Sequence, residues 1–213
     1  MIISKELYID FTENDLIKLL IKRLSNFFYL SKDEENSIKE VHPLVLEKLV
    51  VGFRDIDNKY FRKNGLLYFS PNHSGQYLIY LYWFSFLFAK NKNGLKDKFY
   101  YLNKILHSVD IYAEVELPPV FFFEHPLGLV LGRASYGNNF FAMQGCTVGG
   151  NKDKYPIIGD NVKMFSNSKV IGNSLIGNNV WLSANSYVKD TNIPDNSIVF
   201  GSSPNLIIKD LKK

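Results

Sequence analysis

The sequence predicts an α+β chain, helical in its first half and a coil of short parallel strands in its second. Three observations carry that reading. Before residue 110 the apolar residues cluster at helical spacing behind capping residues. After it, Ile158, Met164, Val170, Ile176, Leu182 and Val188 fall every six residues. Four positions behind them come Val162, Ser168, Ser174, Val180 and Ser186, all small or β-branched. Six is neither the helical nor the simple strand period. It suits a coil of three flat strands per turn, each ending where a small or αL-tolerant residue is needed.

The helical elements follow in order. Thr12 to Asp15 offers a cap before Leu16, Leu19, Leu20 and Ile21, and Ser31 to Glu35 a second helix start. His42-Pro43 begins a further segment carrying Leu46, Leu49 and Val50. A loop at Pro71-Asn72-His73 leads into an aromatic helix whose core, Tyr77 to Phe88, is the most apolar run of the chain. That run is too short to span a bilayer and reads as a buried helix. Gly94 breaks the chain before Lys98 to Ile105.

Upstream of Ile158 the six-residue period runs through Ile111, Leu117, Phe123 and Leu129, with Val115, Phe121 and Leu127 four places on. It slips near Tyr136, resumes at Ala142 and Val148, and jumps ten residues to Ile158. The jump implies a loop, Gly149 to Tyr155, thrown out of the coil. The last turn would leave an unpaired edge, which the segment from Ile193 to Pro204 covers. The expected organisation is a helical domain over 1–109, the coil over 110–200 and a covering segment over 201–213.

Composition narrows the function classes. Hydrophobic residues at 46% and charged residues at 22% are ordinary for a soluble globular chain. A formal charge of +4 without a long basic run gives nucleic-acid binding little support. One cysteine, Cys146, excludes an intrachain disulfide and a cysteine-rich metal site. It occupies a corner position of the repeat and reads as buried filler. The first twenty residues lack a secretory apolar core, so a cytoplasmic protein is expected.

Four motifs carry a resemblance: Asp110-Ile111, Glu124-His125-Pro126-Leu127-Gly128, Thr147-Val148-Gly149-Gly150 and Gly201-Ser202-Ser203-Pro204. With the repeats, they make residues 110–209 similar to the hexapeptide-repeat acyltransferases, and within them to serine acetyltransferase. The helical half resembles that family only faintly. The resemblance implies a left-handed parallel β-helix, a homotrimer with active sites between subunits, and acetyl-CoA as cosubstrate without a metal. It implies His125 as general base and Asp110 as the carboxylate that orients it. The chemistry agrees. A hydroxyl ionises far above neutrality, so attack on a thioester needs a base tuned near pH 7. Imidazole is that base, and a carboxylate on its other nitrogen fixes the tautomer.

Further roles follow from the same resemblance. Acetyl-CoA would lie along the coil against Gly149, Gly150, Ser166, Ser183, Ala184 and Ser202, with Lys209 or Lys212 at its phosphates. The helical domain would lie on the acceptor side and in the oligomer, with Asp55 and His73 as acceptor-side residues. Two departures bear on the acceptor. The family's loop histidine, preceded by arginine, is replaced by Asp153-Lys154-Tyr155-Pro156 in a shorter loop, and its aspartate before the base is Glu124. With Lys154 and Tyr155 in that loop, a sugar hydroxyl of a surface polysaccharide or its precursor becomes the expected acceptor.

Serine is the alternative acceptor. An amino-sugar N-acetyltransferase is disfavoured because no nucleotide-binding βαβ unit precedes the coil. A carbonic anhydrase of this fold would need three histidines on neighbouring coils, and only His125 lies in the repeat region. A non-catalytic trimeric scaffold would have no use for an aspartate–histidine pair.

Overall fold

Thr12 caps the first helix as its position suggests, its hydroxyl accepting from the N–H of Asp15 at 3.1 Å. The computed structural model describes residues 2–4 and 6–211. The chain divides into two compact units, Met1–Leu106 and His107–Lys213.

The first unit holds four helices, α1 (Glu13–Ser25), α2 (Lys32–Arg54), α3 (Ser74–Lys90) and α4 (Leu95–His107). Ser31 and Glu34 close a reciprocal capping box on α2, where the sequence places a helix start. The helix then runs through Pro43 without a break, so His42-Pro43 does not begin a segment. A proline inside a helix forfeits one backbone hydrogen bond. Here the stripe of Ile38, Val45, Leu46, Leu49 and Phe53 is fully buried or nearly so, which offsets that loss. His42 is a core residue of α2, not a helix-end one. The aromatic helix α3 is buried almost all round, as its sequence predicts.

A purely helical first half is corrected by a four-stranded sheet. It comprises β1 (Ile2–Ser4), β2 (Leu7–Ile9), β3 (Arg62–Lys63) and β4 (Leu66–Phe69), in the order β1-β2-β4-β3. These strands are two to four residues long, too short to establish a period. What stabilises them is burial of Leu7, Ile9, Leu67 and Phe69 on one face.

The second unit is a parallel β-helix with three faces. The first face stacks β5 (Asp110–Ile111), β7 (Val130–Leu131), β10 (Thr147–Gly149), β13 (Lys169–Ile171) and β16 (Tyr187–Lys189). The second stacks β6 (Phe121–Glu124), β9 (Phe140–Met143), β12 (Lys163–Met164), β15 (Trp181–Leu182) and β17 (Ser197–Ser202). The third holds β8 (Ser135–Tyr136), β11 (Ile157–Ile158) and β14 (Leu175–Ile176). All six repeat positions from Ile158 to Val188 are buried, and Val162, Ser168, Ser174, Val180 and Ser186 fill the corners.

The asparagines between them explain themselves structurally. Asn139, Asn161, Asn179 and Asn196 all sit near φ +55°, a conformation asparagine tolerates better than most residues. Their amides form a ladder along one edge, Asn139 to Asn161 at 2.9 Å and Asn179 to Asn196 at 3.0 Å. At the far end β17 crosses from the second face to the first. It pairs antiparallel with β18 (Asn205–Asp210), which covers its free side; the cover is thus β18, and Ile193 to Ser202, expected to leave the coil, pair parallel with it instead. Among the described residues no helix is long and apolar enough to cross a membrane.

Candidate active site

The edge where the second face turns into the first is built from one repeated corner. Ser108, Gly128, Gly145, Asn167 and Asn185 all take left-handed backbone there. The last four donate their backbone N–H across the turn: Gly128 to Ser108 at 2.9 Å, Gly145 to Leu127 at 2.9 Å, Asn167 to Gln144 at 2.8 Å and Asn185 to Ser166 at 2.9 Å.

One corner of the column is enlarged. Glu124 pairs with Met143, 19 residues on, whereas Val130 pairs with Thr147, 17 residues on. Two extra residues therefore enter between them, and they fall at His125-Pro126. His125 stands at φ +50° with its side chain exposed. A left-handed residue that is neither glycine nor asparagine is uncommon, and such positions cluster at functional sites. The excursion also shifts the repeat by two. Leu131 takes the inward strand position that Val148 takes on the next turn, and Leu129 fills the corner. Leu127, expected in the core from the unshifted period, is 65% exposed.

Asp110 lies beside this corner. Its N–H donates to the carbonyl of Leu129 at 2.8 Å, and its strand pairs with Val130. Ile111 points inward and Asp110 outward, half-buried. The structure thus brings Asp110 and His125 to one edge of the coil on adjoining turns. Glu124 ends β6 immediately before the excursion.

The residues expected along acetyl-CoA divide between two edges. Ser166, Ala184 and Ser202 share the His125 edge, since Ser166 and Ala184 precede the corner asparagines and Ser202 pairs with Tyr187. Ser183 stands just before them, its hydroxyl donating to Val199 O at 2.6 Å. Gly149, Gly150, Lys154 and Tyr155 lie across the first face, at its other edge. From Gly145 to Gly149 an extended chain covers on the order of 13 Å at about 3.3 Å per residue. One coil alone therefore does not unite them with His125.

The excursion loop leaves the coil after Gly149 and returns at Ile157. It is a tight turn, closed by hydrogen bonds in both directions between Asn151 and Lys154, with Lys152 and Asp153 in left-handed conformation. The amide of Asn151 ties it to Asp190 at 3.0 Å. The Tyr155 ring lies flush on Gly150, where a Cβ would meet it at 2.7 Å. The tyrosine is 42% exposed, so packing and ligand contact are both open to it.

Lys209 stands on β18 with its ammonium 5.8 Å over the Phe200 ring, and Lys212 lies outside the described residues. Cys146 is buried, as expected, its thiol 3.1 Å from the Phe165 carbonyl. Asp55 and His73 belong to the first unit. Asp55 is an exposed residue closing α2. His73 caps α3, its Nδ1 accepting from Gln76 N–H at 3.3 Å, and burial lowers its pKa below the usual 6.5. Gln144, which the sequence reading passed over, sits in the enlarged corner opposite His125-Pro126. The signal was available in the unequal spacings of nineteen and seventeen, but only once the pairing is known.

No model of a known protein family matches the chain. It is 30% identical over 129 residues to a serine acetyltransferase of Staphylococcus xylosus, an alignment covering 58% of this chain and 59% of that one. The chain thus spans somewhat over half the length of the curated relative it matches. A solved serine acetyltransferase in complex with CoA superposes with a TM-score of 0.69 at 21% identity, covering 91% of this chain and 83% of that one. The serine acetyltransferase of Neisseria gonorrhoeae in complex with serine gives 0.63 at 24% identity, covering 87% and 81%. In part of its sequence and in fold over most of its length, this chain is similar to the serine acetyltransferases, a hexapeptide-repeat acyltransferase group.

Proposed function

We propose that the chain is an acetyl-CoA-dependent O-acetyltransferase whose acceptor is serine. The observation that carries this is the two-residue excursion that ejects His125 from an otherwise regular corner, beside Asp110. His125 takes the proton of the serine hydroxyl as its oxygen attacks the thioester carbonyl. The tetrahedral adduct collapses, the C–S bond breaks, and the imidazolium returns the proton to the departing sulfur. The products are O-acetylserine and CoA thiol. Asp110 holds the imidazole in one tautomer and orientation.

Backbone N–H groups near Gly149 stabilise the oxyanion in this scheme. Because that edge lies across a face from His125, the site calls for two copies. A homotrimer, with the His125 edge of one coil against the Gly149–Tyr155 edge of the next, meets the requirement. Ser166, Ser183, Ala184, Ser202 and Lys209 then line the acetyl-CoA groove. Light scattering of the purified chain should give about three times its 24.5 kDa.

The names of the sequence relatives favour serine over the sugar acceptor that the altered loop suggests. A sugar hydroxyl stays as a second reading because Asp153, Lys154 and Tyr155 are exposed in that loop and none is a histidine. Release of CoA thiol from acetyl-CoA, with L-serine set against a panel of sugars and glycans, tests the two. Turnover confined to the sugars would overturn the serine reading.

A further inference from the structure

Gln144 presents a buried polar atom that nothing in the fold accounts for. Its Oε1 is shielded from solvent and has no hydrogen-bond partner among the described residues. An unpaired buried carbonyl is destabilising, and native structures rarely leave one without a reason. The equivalent corner positions on the next two turns are Ser166 and Ala184, short side chains with no such demand. Ser166 Oγ packs 3.8 Å from Met143 Sδ. The long amide therefore occurs only on the turn that abuts the His125-Pro126 excursion. Gln144 is flanked there by Met143, which pairs with Glu124, and by Gly145, which donates to Leu127.

The groups at this corner share a chemistry. Glu124 brings a carboxylate and Gln144 a carbonyl oxygen, both hydrogen-bond acceptors, one of them anionic. Their complement is a cationic donor, and an ammonium with three N–H groups satisfies both at once. A neutral hydroxyl alone would leave the carboxylate charge unmatched.

We propose that Gln144 is an acceptor-binding residue, its side-chain carbonyl receiving a hydrogen bond from the ammonium of an amino-acid acceptor whose hydroxyl faces His125. This rests on the serine reading and deepens it, because it gives the ammonium a neutral acceptor beside the Glu124 carboxylate.

The test is steady-state kinetics of the full chain and of Gln144→Leu and Gln144→Glu, varying L-serine and acetyl-CoA separately, with 3-hydroxypropanoate as an acceptor lacking the amine. Gln144→Leu should raise KM for serine about tenfold or more, the loss of one charge-assisted hydrogen bond. KM for acetyl-CoA should stay unchanged, and the preference for serine over 3-hydroxypropanoate should shrink. Gln144→Glu, which keeps an acceptor oxygen, should retain the serine KM. Should the leucine variant not fold, Gln144→Met of similar length replaces it. A rise in KM for acetyl-CoA alone would move Gln144 to the donor, and unchanged kinetics would leave it structural; either overturns the proposal. An unsubstituted chain that turns over no serine sinks the serine reading and this inference together. Serine turnover with an indifferent variant sinks this inference alone.

Discussion

Gly145 donates its backbone N–H to the carbonyl of Leu127 at 2.9 Å, although Met143 and Glu124 are already paired on the turn beside them. Three residues, His125 to Leu127, therefore face the single residue Gln144. The coil accommodates them by pushing His125 outward in left-handed conformation. Register alone turns a lone histidine out of the coil into solvent.

The first prediction concerns that base. His125→Asn should lower kcat by about 10²–10⁴, the range for removing a general base, with the circular-dichroism melt unchanged. Acetyl transfer at the full rate would sink the mechanism.

Deleting His125 and Pro126 together should restore the corner that Gln144, Ser166 and Ala184 form on later turns. We expect a chain that folds with an undiminished Tm and has lost acetyl transfer. A large fall in Tm would mean that the excursion belongs to the packing and not to the site.

Gly137 lies where the backbone of the next turn passes close by. A Cβ there would meet the backbone carbon of Gly159 at 2.3 Å, and backbone cannot swing aside as a side chain can. Gly137→Ala should cost about 1–3 kcal/mol, as overpacking does, read from urea unfolding. Gly94→Ala, with nothing within 4 Å, is the control and should be close to neutral.

His42 in the first unit makes stability depend on pH. Burial holds its pKa below the usual 6.5, while its hydrogen bond to Glu13 at 3.3 Å works the other way and is outweighed. Well above pH 6.5 the imidazole is neutral in both folded and unfolded chains and adds no slope. Below it the unfolded chain takes up the proton first, so stability falls as the pH drops. The urea midpoint should decline between pH 7 and pH 5, and His42→Gln should flatten that decline. Equal slopes in the two proteins would show that other groups set it.

Much of the fold is legible in the residues. The six-residue recurrence from Ile158 to Val188 requires a narrow core at each step, and every one of those side chains is buried. The caps at Thr12 and Ser31 are local hydrogen bonds, fixed by residues three apart, so local sequence suffices to place them. Pro43 misleads because its cost is local while the burial that offsets it is supplied by other elements of the first unit. The strands at Leu7–Ile9 and Leu66–Phe69 are invisible for a related reason. Each is a few residues long and acquires its pattern only by pairing with a partner some sixty positions away.

The sequence by itself determined the parallel coil and its loop after Gly149, because a repeat and its interruption are properties of the chain, while His125 and Asp110 were pointed to by the resemblance its motifs carry. Only the tertiary structure decided that two extra residues enter at His125-Pro126, that Leu127 faces solvent, and that Gln144 carries an orphaned carbonyl opposite them. Those follow from which strand lies beside which. Register is set by packing and pairing summed over many turns, and no short stretch of residues encodes it alone.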